Sequence, residues 1–515
     1  MKSPKIIVLH PFLLAAYPVI ALLAYNIEEI KISDGIRALV ISLLASVILF
    51  SLLTLVTRSM HKAALITTLT VILFCSYGHI YHFIRQEFTF GALIGRHRLL
   101  MPVYLAVMIL GILWVTIKSR PNQTIHQFLN MFSIIALIFP IFQIAGYSIR
   151  SRSSANPASL AVADSTLHLP INQPAPDIYY IILDAYSRDD VLKKFYKIDN
   201  SAFLNELSKS GFFLARCSMS NYAQTQLSLV SSLNMNYLDA LSDQYRPGNT
   251  SRVGLSELIK HNKVRQDLKG LGYTIYAFET GFKTTEWDDA DYYLSQQSKV
   301  FSILQFGGGI TDFELMIMRN SAILLIEDGV LILPRFIQPD FENPLRIHRD
   351  RILFVLSKLE NLAKTPGPKF VFAHLVIPHP PYVFAPNGDF TNYDVPDDPG
   401  YKNQVAYIDQ QIIALTNKLI ANSNTPPIIV IQADHGGINT PPDGRTKILN
   451  AYYLPNDGNK LLYPNITPVN TFRIILDYYF SGKYDLLKDV SYFSVYQRPY
   501  EYSVIDERRP DCPAK

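Results

Sequence analysis

Two short apolar runs in this 515-residue chain stop at residues of types that can bind metal ions. Ile178–Leu183 ends at Asp184, and Ile428–Gln432 ends at Ala433-Asp434-His435-Gly436-Gly437. Each run has the length and β-branched content of a strand buried on both faces. In an open α/β sheet, ligands bind beyond the carboxyl ends of the strands. Two acids and a histidine leaving two such ends can converge, however far apart they lie in the chain. Together they would hold a hard or borderline dication, which points to a metal-dependent enzyme. Mixed Asp, His and hydroxyl ligation does not choose among Mn²⁺, Mg²⁺ and Zn²⁺.

Other strand ends carry polar groups too. Glu279 follows Tyr273–Phe278, and His374 and His379 lie in His374-Leu-Val-Ile-Pro-His379-Pro-Pro-Tyr382. Singly, each has an ordinary explanation: an Asp after a strand caps a turn, and a histidine in an apolar segment is a hydrogen-bonded core residue. Their recurrence at the strand ends of one domain is what carries weight. Thr225 leaves two readings open. It follows the polar loop Ser218–Gln224 and opens a helical pattern with Leu227, Val230 and Leu233. It is either an N-cap, or a nucleophile at a helix start, where free backbone N–H groups suit a phosphate or sulfate. In the second reading a metal would lower its hydroxyl pKa.

The elements that must position these residues begin at Asp177. From there short strands alternate with amphipathic helices, the pattern of an α/β domain. Strands are expected at Ile178–Leu183, Phe212–Arg216, Tyr273–Phe278, Lys369–Val376 and Ile428–Gln432. Helices are expected at Ser201–Ser208, Thr225–Asn234, Arg346–Leu362 and Asn403–Ala421. Asp288–Pro344 matches neither period and reads as an insertion that packs over the site or against a membrane surface. Ser151–Pro176, rich in Ser, Ala, Asn and Pro, reads as a linker.

The first 150 residues differ in kind. Ile6–Tyr25, Ile36–Val56, Ala63–Ile84, Leu100–Ile117 and Phe128–Ile149 are apolar runs long enough to cross a bilayer. Five in succession argue against buried helices of a soluble core. The first follows Lys2 and Lys5 without a small-residue cleavage site, and reads as a retained anchor. Lys2, Lys5, Arg58, Lys62, Lys118 and Arg120 favour a cytoplasmic N-terminus, against Arg85, Arg96 and Arg98. Five spans then place the C-terminal half outside. The expected layout is a transmembrane domain over 1–150, a linker over 151–176, and a catalytic domain over 177–505 with a central, mostly parallel sheet flanked by helices. Overall the chain is 49% hydrophobic and 17% charged, with net charge +4. It has no basic stripe or aromatic platform, so no nucleic-acid partner is implied. Of the three cysteines, Cys75 lies in an apolar run, and Cys217 and Cys512 could pair in an oxidising compartment.

From Pro176 to about Tyr502 the chain resembles the sulfatase-like branch of the alkaline phosphatase superfamily. The carrying segments are Pro176-Asp-Ile-Tyr-Tyr-Ile-Ile-Leu-Asp184-Ala-Tyr, Ser220-Asn-Tyr-Ala-Gln-Thr225, Ile377-Pro-His379-Pro-Pro-Tyr382 and Ala433-Asp434-His435-Gly436. With membrane spans ahead of it, the layout is similar to lipoteichoic acid synthases and phosphoethanolamine transferases. The resemblance implies a threonine nucleophile, Thr225, that shares one dication with Asp184, Asp434 and His435. It also implies that His379 contacts the transferred group. No C/S-x-P-x-R motif surrounds Thr225 or Cys217, which disfavours formylglycine sulfate-ester chemistry. Ala185 stands where a second acid often sits, and no further histidine follows Gly437, which favours one metal over two. Arg445 and Lys447 read as a solvated loop, with anion binding as the second choice. The implied function is transfer of a phosphoryl-alcohol group to or from an envelope lipid or glycan, on the extracytoplasmic side of a bacterial-type inner membrane. A membrane-anchored phosphodiesterase or sulfuric ester hydrolase, and a non-catalytic scaffold, remain as alternatives. The sequence leaves the oligomeric state open.

Overall fold

A computed structural model describes residues 7–88, 90–118, 122–154, 166–169, 174–296, 310–334, 339, 341, 343–391, 397–505 and 512. The chain divides into two compact units: Met1–Ile149 with Gln297–Pro344, and Arg150–Gln296 with Leu345–Lys515.

The first unit is helical: α1 (His10–Tyr25), α2 (Ile36–Thr57), α3 (Met60–Glu87), the single turn α4 (Gly91–Ile94), α5 (His97–Leu113) and α6 (Gln123–Ser154). Among the described residues, four helical segments are long and apolar enough to cross a membrane: Ile32–Thr57, Met60–Glu87, His97–Lys118 and Gln123–Arg150. Their outer faces are apolar, with Leu55, Leu110 and Phe142 exposed, as lipid-facing surfaces require. α1 carries the first expected run. At 16 residues it is about 24 Å long, shorter than a full hydrocarbon core; Ile6, where that run was expected to start, lies outside the described residues.

The expected insertion is divided: its residues up to Gln296 belong to the α/β unit, and its described residues from 310 onward belong to this helical unit. A helix over Asp312–Arg319 starts with a Thr311/Glu314 capping box and buries Phe313 against Val19, Leu23, Ile27 and Ala38. Gly78 of α3 permits the approach of the segment behind it, because a Cβ there would collide with the Arg319 carbonyl. The Ala322 N–H donates to the Phe74 carbonyl at 2.8 Å. Positions 297–309, also within the expected insertion, lie outside the described residues.

The second unit is α/β. Its sheet runs in the order β2-β7-β6-β1-β5-β3-β4. These strands are β1 (Ile178–Leu183), β2 (Phe213–Leu214), β3 (Thr274–Phe278), β4 (Tyr292–Leu294), β5 (Lys369–Leu375), β6 (Ile428–Gln432) and β7 (Asn450–Tyr453); β8 (Ser491–Phe493) and β9 (Ser503–Ile505) form a separate pair. β1 is parallel to β5 and β6, and β3 is parallel to β5 and β4. β7 alone in this sheet is reversed, running antiparallel to both of its neighbours, β6 and β2. Side chains alternate across β1: Tyr179, Ile181 and Leu183 face one core, and Ile178, Tyr180 and Ile182 face the other. Helices over Asn343–Leu362 and Asp397–Asn422 cover the first face; those over Thr225–Asn234 and Pro468–Phe480 cover the second. This two-sided burial is why the central strands read as unbroken apolar runs.

In the expected linker, residues 151–154 continue α6 and Leu167 is buried in the second core; residues 155–165 and 170–173 lie outside the described residues.

Candidate metal centre and nucleophile

β1 and β6 are neighbours in register, with Ile182 opposite Gln432. Continuing that register two residues past this pair sets Asp184 opposite Asp434. The turn between them is tight. Ala185 takes a left-handed φ of 64°, a conformation that costs a non-glycine residue energy. It holds because the Ala185 N–H donates to Asp434 Oδ1 at 3.1 Å and the Ala185 carbonyl accepts from the Tyr401 hydroxyl at 2.8 Å. The His435 N–H donates to the same Asp434 oxygen at 2.9 Å.

These contacts leave two carboxylate oxygens unused. Asp184 Oδ1 and Asp434 Oδ2 are buried without a hydrogen-bond partner. His435 Nδ1 donates to the Gly436 carbonyl at 2.8 Å, which fixes the tautomer and leaves the Nε2 lone pair free for a ligand. Nε2 lies 3.6 Å from each of the two orphaned oxygens and 3.2 Å from Thr225 Oγ1. Tetrahedral ligands about 2.1 Å from a metal sit roughly 3.4 Å from one another, so the spacing suits a dication. Among the described residues, Asp184, Asp434 and His435 are the one group of three or more such side chains whose ligand atoms lie within 4.8 Å of one another. Glu279 is outside it, accepting from the Ser295 hydroxyl at 2.7 Å, with Arg351 3.8 Å away.

Thr225 is the first residue of the helix Thr225–Asn234, and Gln224 occupies the N-cap position. The helix is fixed by Leu227, Leu229, Val230 and Leu233, all buried. The side chain of Gln224 donates to Ser494 and accepts from Arg252. The Thr225 hydroxyl thus faces His435 rather than its own helix end. His379 lies across the site, its ring centroid 6.4 Å from that of His435. Its backbone N–H donates to the Asp184 carbonyl at 3.1 Å, and its Nδ1 donates to the Pro380 carbonyl at 2.7 Å. The five residues singled out by sequence, Asp184, Thr225, His379, Asp434 and His435, therefore gather around one point.

Other residues join them. His374 on β5 is buried with Nε2 3.3 Å from Asp184 Oδ2. Burial disfavours its cation, but Asp184 and Asp434 outweigh that and raise its pKa. For Asp184 burial acts against the charge, yet His379, His374 and His435 hold the carboxyl well below the usual range. His435 is lowered by burial, with Arg445 adding, against the pull of Asp434 and Asp184. Arg445 is not a solvated loop residue. It is largely buried, and its guanidinium donates to the Gly436 and Ala223 carbonyls at 3.2 Å each, so it joins the loop after β6 to the loop before Thr225. Lys447 pairs with Asp443 at 2.7 Å.

His348 escaped the sequence reading. It lies on the helix Asn343–Leu362, is buried, and its Nε2 has no partner. Burial, with Arg351 and His379 nearby, pushes its pKa down to about 3. A signal existed: His348 shares a helical face with the buried Ile352, Val355 and Leu359, so its side chain had to point inward.

Cys217 and Cys512 form a disulfide, with Cα atoms 5.8 Å apart. It ties the C-terminal segment to the loop that leads into Thr225.

No protein-family model matches the chain, and no curated protein matches it. It is similar to solved structures of phosphoethanolamine transferases and of an alkaline phosphatase superfamily protein. The C-terminal periplasmic domain of EptC from Escherichia coli, in complex with zinc, is 13% identical, covering 67% of this chain and 96% of that one at a TM-score of 0.42. The integral membrane lipooligosaccharide phosphoethanolamine transferase A from Neisseria meningitidis is 10% identical, covering 91% and 95% at 0.37. An alkaline phosphatase superfamily protein from Vibrio parahaemolyticus is 14% identical, covering 64% and 74% at 0.35. At such scores the likeness decides neither mechanism nor substrate; the chain's own geometry must.

Proposed function

We propose that this chain is a membrane-anchored, metal-dependent transferase. It moves a phosphoryl-alcohol group to or from an envelope lipid or glycan through Thr225. One observation carries the reading: the Thr225 hydroxyl, at a helix start, lies 3.2 Å from His435 Nε2, beside two carboxylate oxygens that have no other partner. Buried polar atoms without partners are rare unless a ligand completes them. Asp184, Asp434, His435 and Thr225 would hold one dication, Mn²⁺, Mg²⁺ or Zn²⁺. When bound it supplies Lewis-acid stabilisation and a lowered hydroxyl pKa.

Thr225 Oγ attacks phosphorus in a phosphodiester, and the bond from phosphorus to the leaving alcohol breaks. The leaving oxygen takes a proton, and Thr225 remains esterified. An acceptor hydroxyl then attacks the same phosphorus, gives up its proton, and restores the threonine. The free N–H groups of the Thr225–Asn234 helix and the ring of His379 would bind the anionic oxygens. Arg445 adds positive charge behind them. The disulfide favours an oxidising compartment for this unit, in keeping with an extracytoplasmic site next to lipid.

The test uses the full chain in detergent with Mn²⁺ and a chromogenic phosphodiester, quenched in acid. The peptide containing Thr225 should gain the mass of the phosphoryl-alcohol group. Thr225→Ala should lose the adduct and about 10³-fold or more of turnover. Full turnover in that variant removes the nucleophile. Transfer to an added lipid or glycan hydroxyl supports the transferase; release to water alone makes the chain a phosphodiesterase. A wild type that neither binds metal nor turns over is a scaffold.

A further inference from the structure

The helical unit contains a cavity of about 560 Å³. It is bounded by α1, α2, α3 and the Ile310–Ile323 segment. On α2 its lining runs from Arg37 to Leu49, about 18 Å by helix rise. One leaflet of a bilayer's hydrocarbon core is about 15 Å deep.

The two ends differ. One carries Arg37, Glu314, His79 and Asn320; the other ends in small or apolar residues, including Ala15, Ala45 and Leu49. The hydroxyls between them are already used. Ser42 donates to the Ala15 carbonyl at 2.6 Å, Ser46 to the Pro11 carbonyl at 3.2 Å, and Thr70 to the Ile66 carbonyl at 2.9 Å. A space whose polar groups are satisfied by the walls offers water little and takes apolar ligands. At the polar end Arg37 Nε donates to Glu314 Oε1 at 2.5 Å, and Nη2 pairs with Oε2. Arg37 is thereby neutralised, which disfavours the carboxylate of a free fatty acid as the group bound at the mouth.

We propose that this cavity binds one acyl chain of a glycerophospholipid from the leaflet on the Arg37 side, with the headgroup at the Arg37–Glu314 pair. The site belongs to the helical unit and stands whether or not Thr225 is a nucleophile. The Asp312–Arg319 helix, supplied by the insertion, forms one wall and makes the cavity a pocket rather than an open groove between membrane helices.

Cys75 provides the test, because it lines the cavity and is the one free cysteine. The full chain is purified in detergent, stripped of lipid, and alkylated with N-ethylmaleimide with and without dioleoyl phosphatidylcholine. At a lipid concentration about ten times its Kd the rate should fall about tenfold, and native mass spectrometry should retain one phospholipid per chain. Oleic acid at equal concentration should protect neither as well nor as durably. Ala45→Phe, which fills the deep end, should lose both retention and protection. An unchanged alkylation rate in wild type overturns the proposal without need of the variant. So does retention of lipid without protection of Cys75, which places the lipid on the outer surface. Equal protection by oleic acid overturns the phospholipid assignment.

Discussion

Asp184 and Asp434 each spend one oxygen on the protein and keep one in reserve. Asp434 Oδ1 is held by two backbone N–H groups, and Asp184 Oδ2 lies beside His374. The remaining oxygens lie close together in a buried space without hydrogen-bond partners, where two carboxylates repel and are poorly solvated. Metal-free protein should therefore be the less stable form. After chelation, adding Mn²⁺ at a hundred times its Kd is expected to stabilise the chain by about 2.7 kcal/mol, read as a rise in Tm. Asp434→Asn should abolish the rise; an undiminished rise would place the ion elsewhere. His374 lies one step away, with Nε2 3.3 Å from Asp184 Oδ2. His374→Gln should keep the fold and weaken metal binding about 10- to 100-fold, measured by calorimetric titration. Unchanged affinity would reduce His374 to a space-filling role.

At the level of elements, β1 is held to the helix Asp397–Asn422 just past its carboxyl end. The Tyr186 hydroxyl donates to Asp409 at 2.6 Å, and burial pushes the Asp409 carboxyl up to about 7. An unfolded aspartate titrates near 3.9, roughly three units lower. Between those values the folded chain keeps a proton that the unfolded chain has lost. For this group stability is greatest at low pH, falls as pH rises through that window, and levels above about 7. Asp409→Asn keeps an acceptor for Tyr186 and removes the titration. Its Tm relative to wild type should climb from about pH 5 to about pH 7.5 and then stay flat. A constant difference over that range would mean that Asp409 is ionised throughout.

For the whole molecule, the Cys217–Cys512 disulfide closes a loop spanning a sequence separation of 295. Replacing both cysteines with serine should cost about 2–4 kcal/mol, seen as a lower Tm under non-reducing conditions. It should also loosen the loop before Thr225, so turnover should fall more than metal affinity. An equal Tm would show that the bridge does not restrain the unfolded chain. Which residues build each unit was only partly legible. Apolar runs were visible because a bilayer demands long apolar segments; among the described residues four of the helices they form are long and apolar enough to cross one, and their outer sides stay apolar in the fold. The insertion was read with two places open, over the site or against a membrane surface. Its Asp312–Arg319 helix has just 8 residues, too few for periodicity to name a partner, and its place depends on a close backbone approach at Gly78.

The sequence by itself determined the central strands and the polar residues at their ends. β1 and β6 carry the expected bounds, because two-sided burial requires continuous β-branched runs, and Asp184, Asp434 and His435 are the first polar residues beyond them. It also determined the helix that Thr225 opens. Short or aromatic strands escaped: β4 and β7, with Tyr292–Leu294 and Asn450–Tyr453, owe their pairing to neighbours rather than to their own pattern. Only the tertiary structure decided that the Thr225 hydroxyl turns to His435 instead of capping its helix, that Arg445 is drawn toward it, and that Cys217 meets Cys512. Each of these is a distance between segments far apart in the chain. Local propensity fixes what a segment can become; the register of β1 on β6 and the packing of the helices fix what it meets.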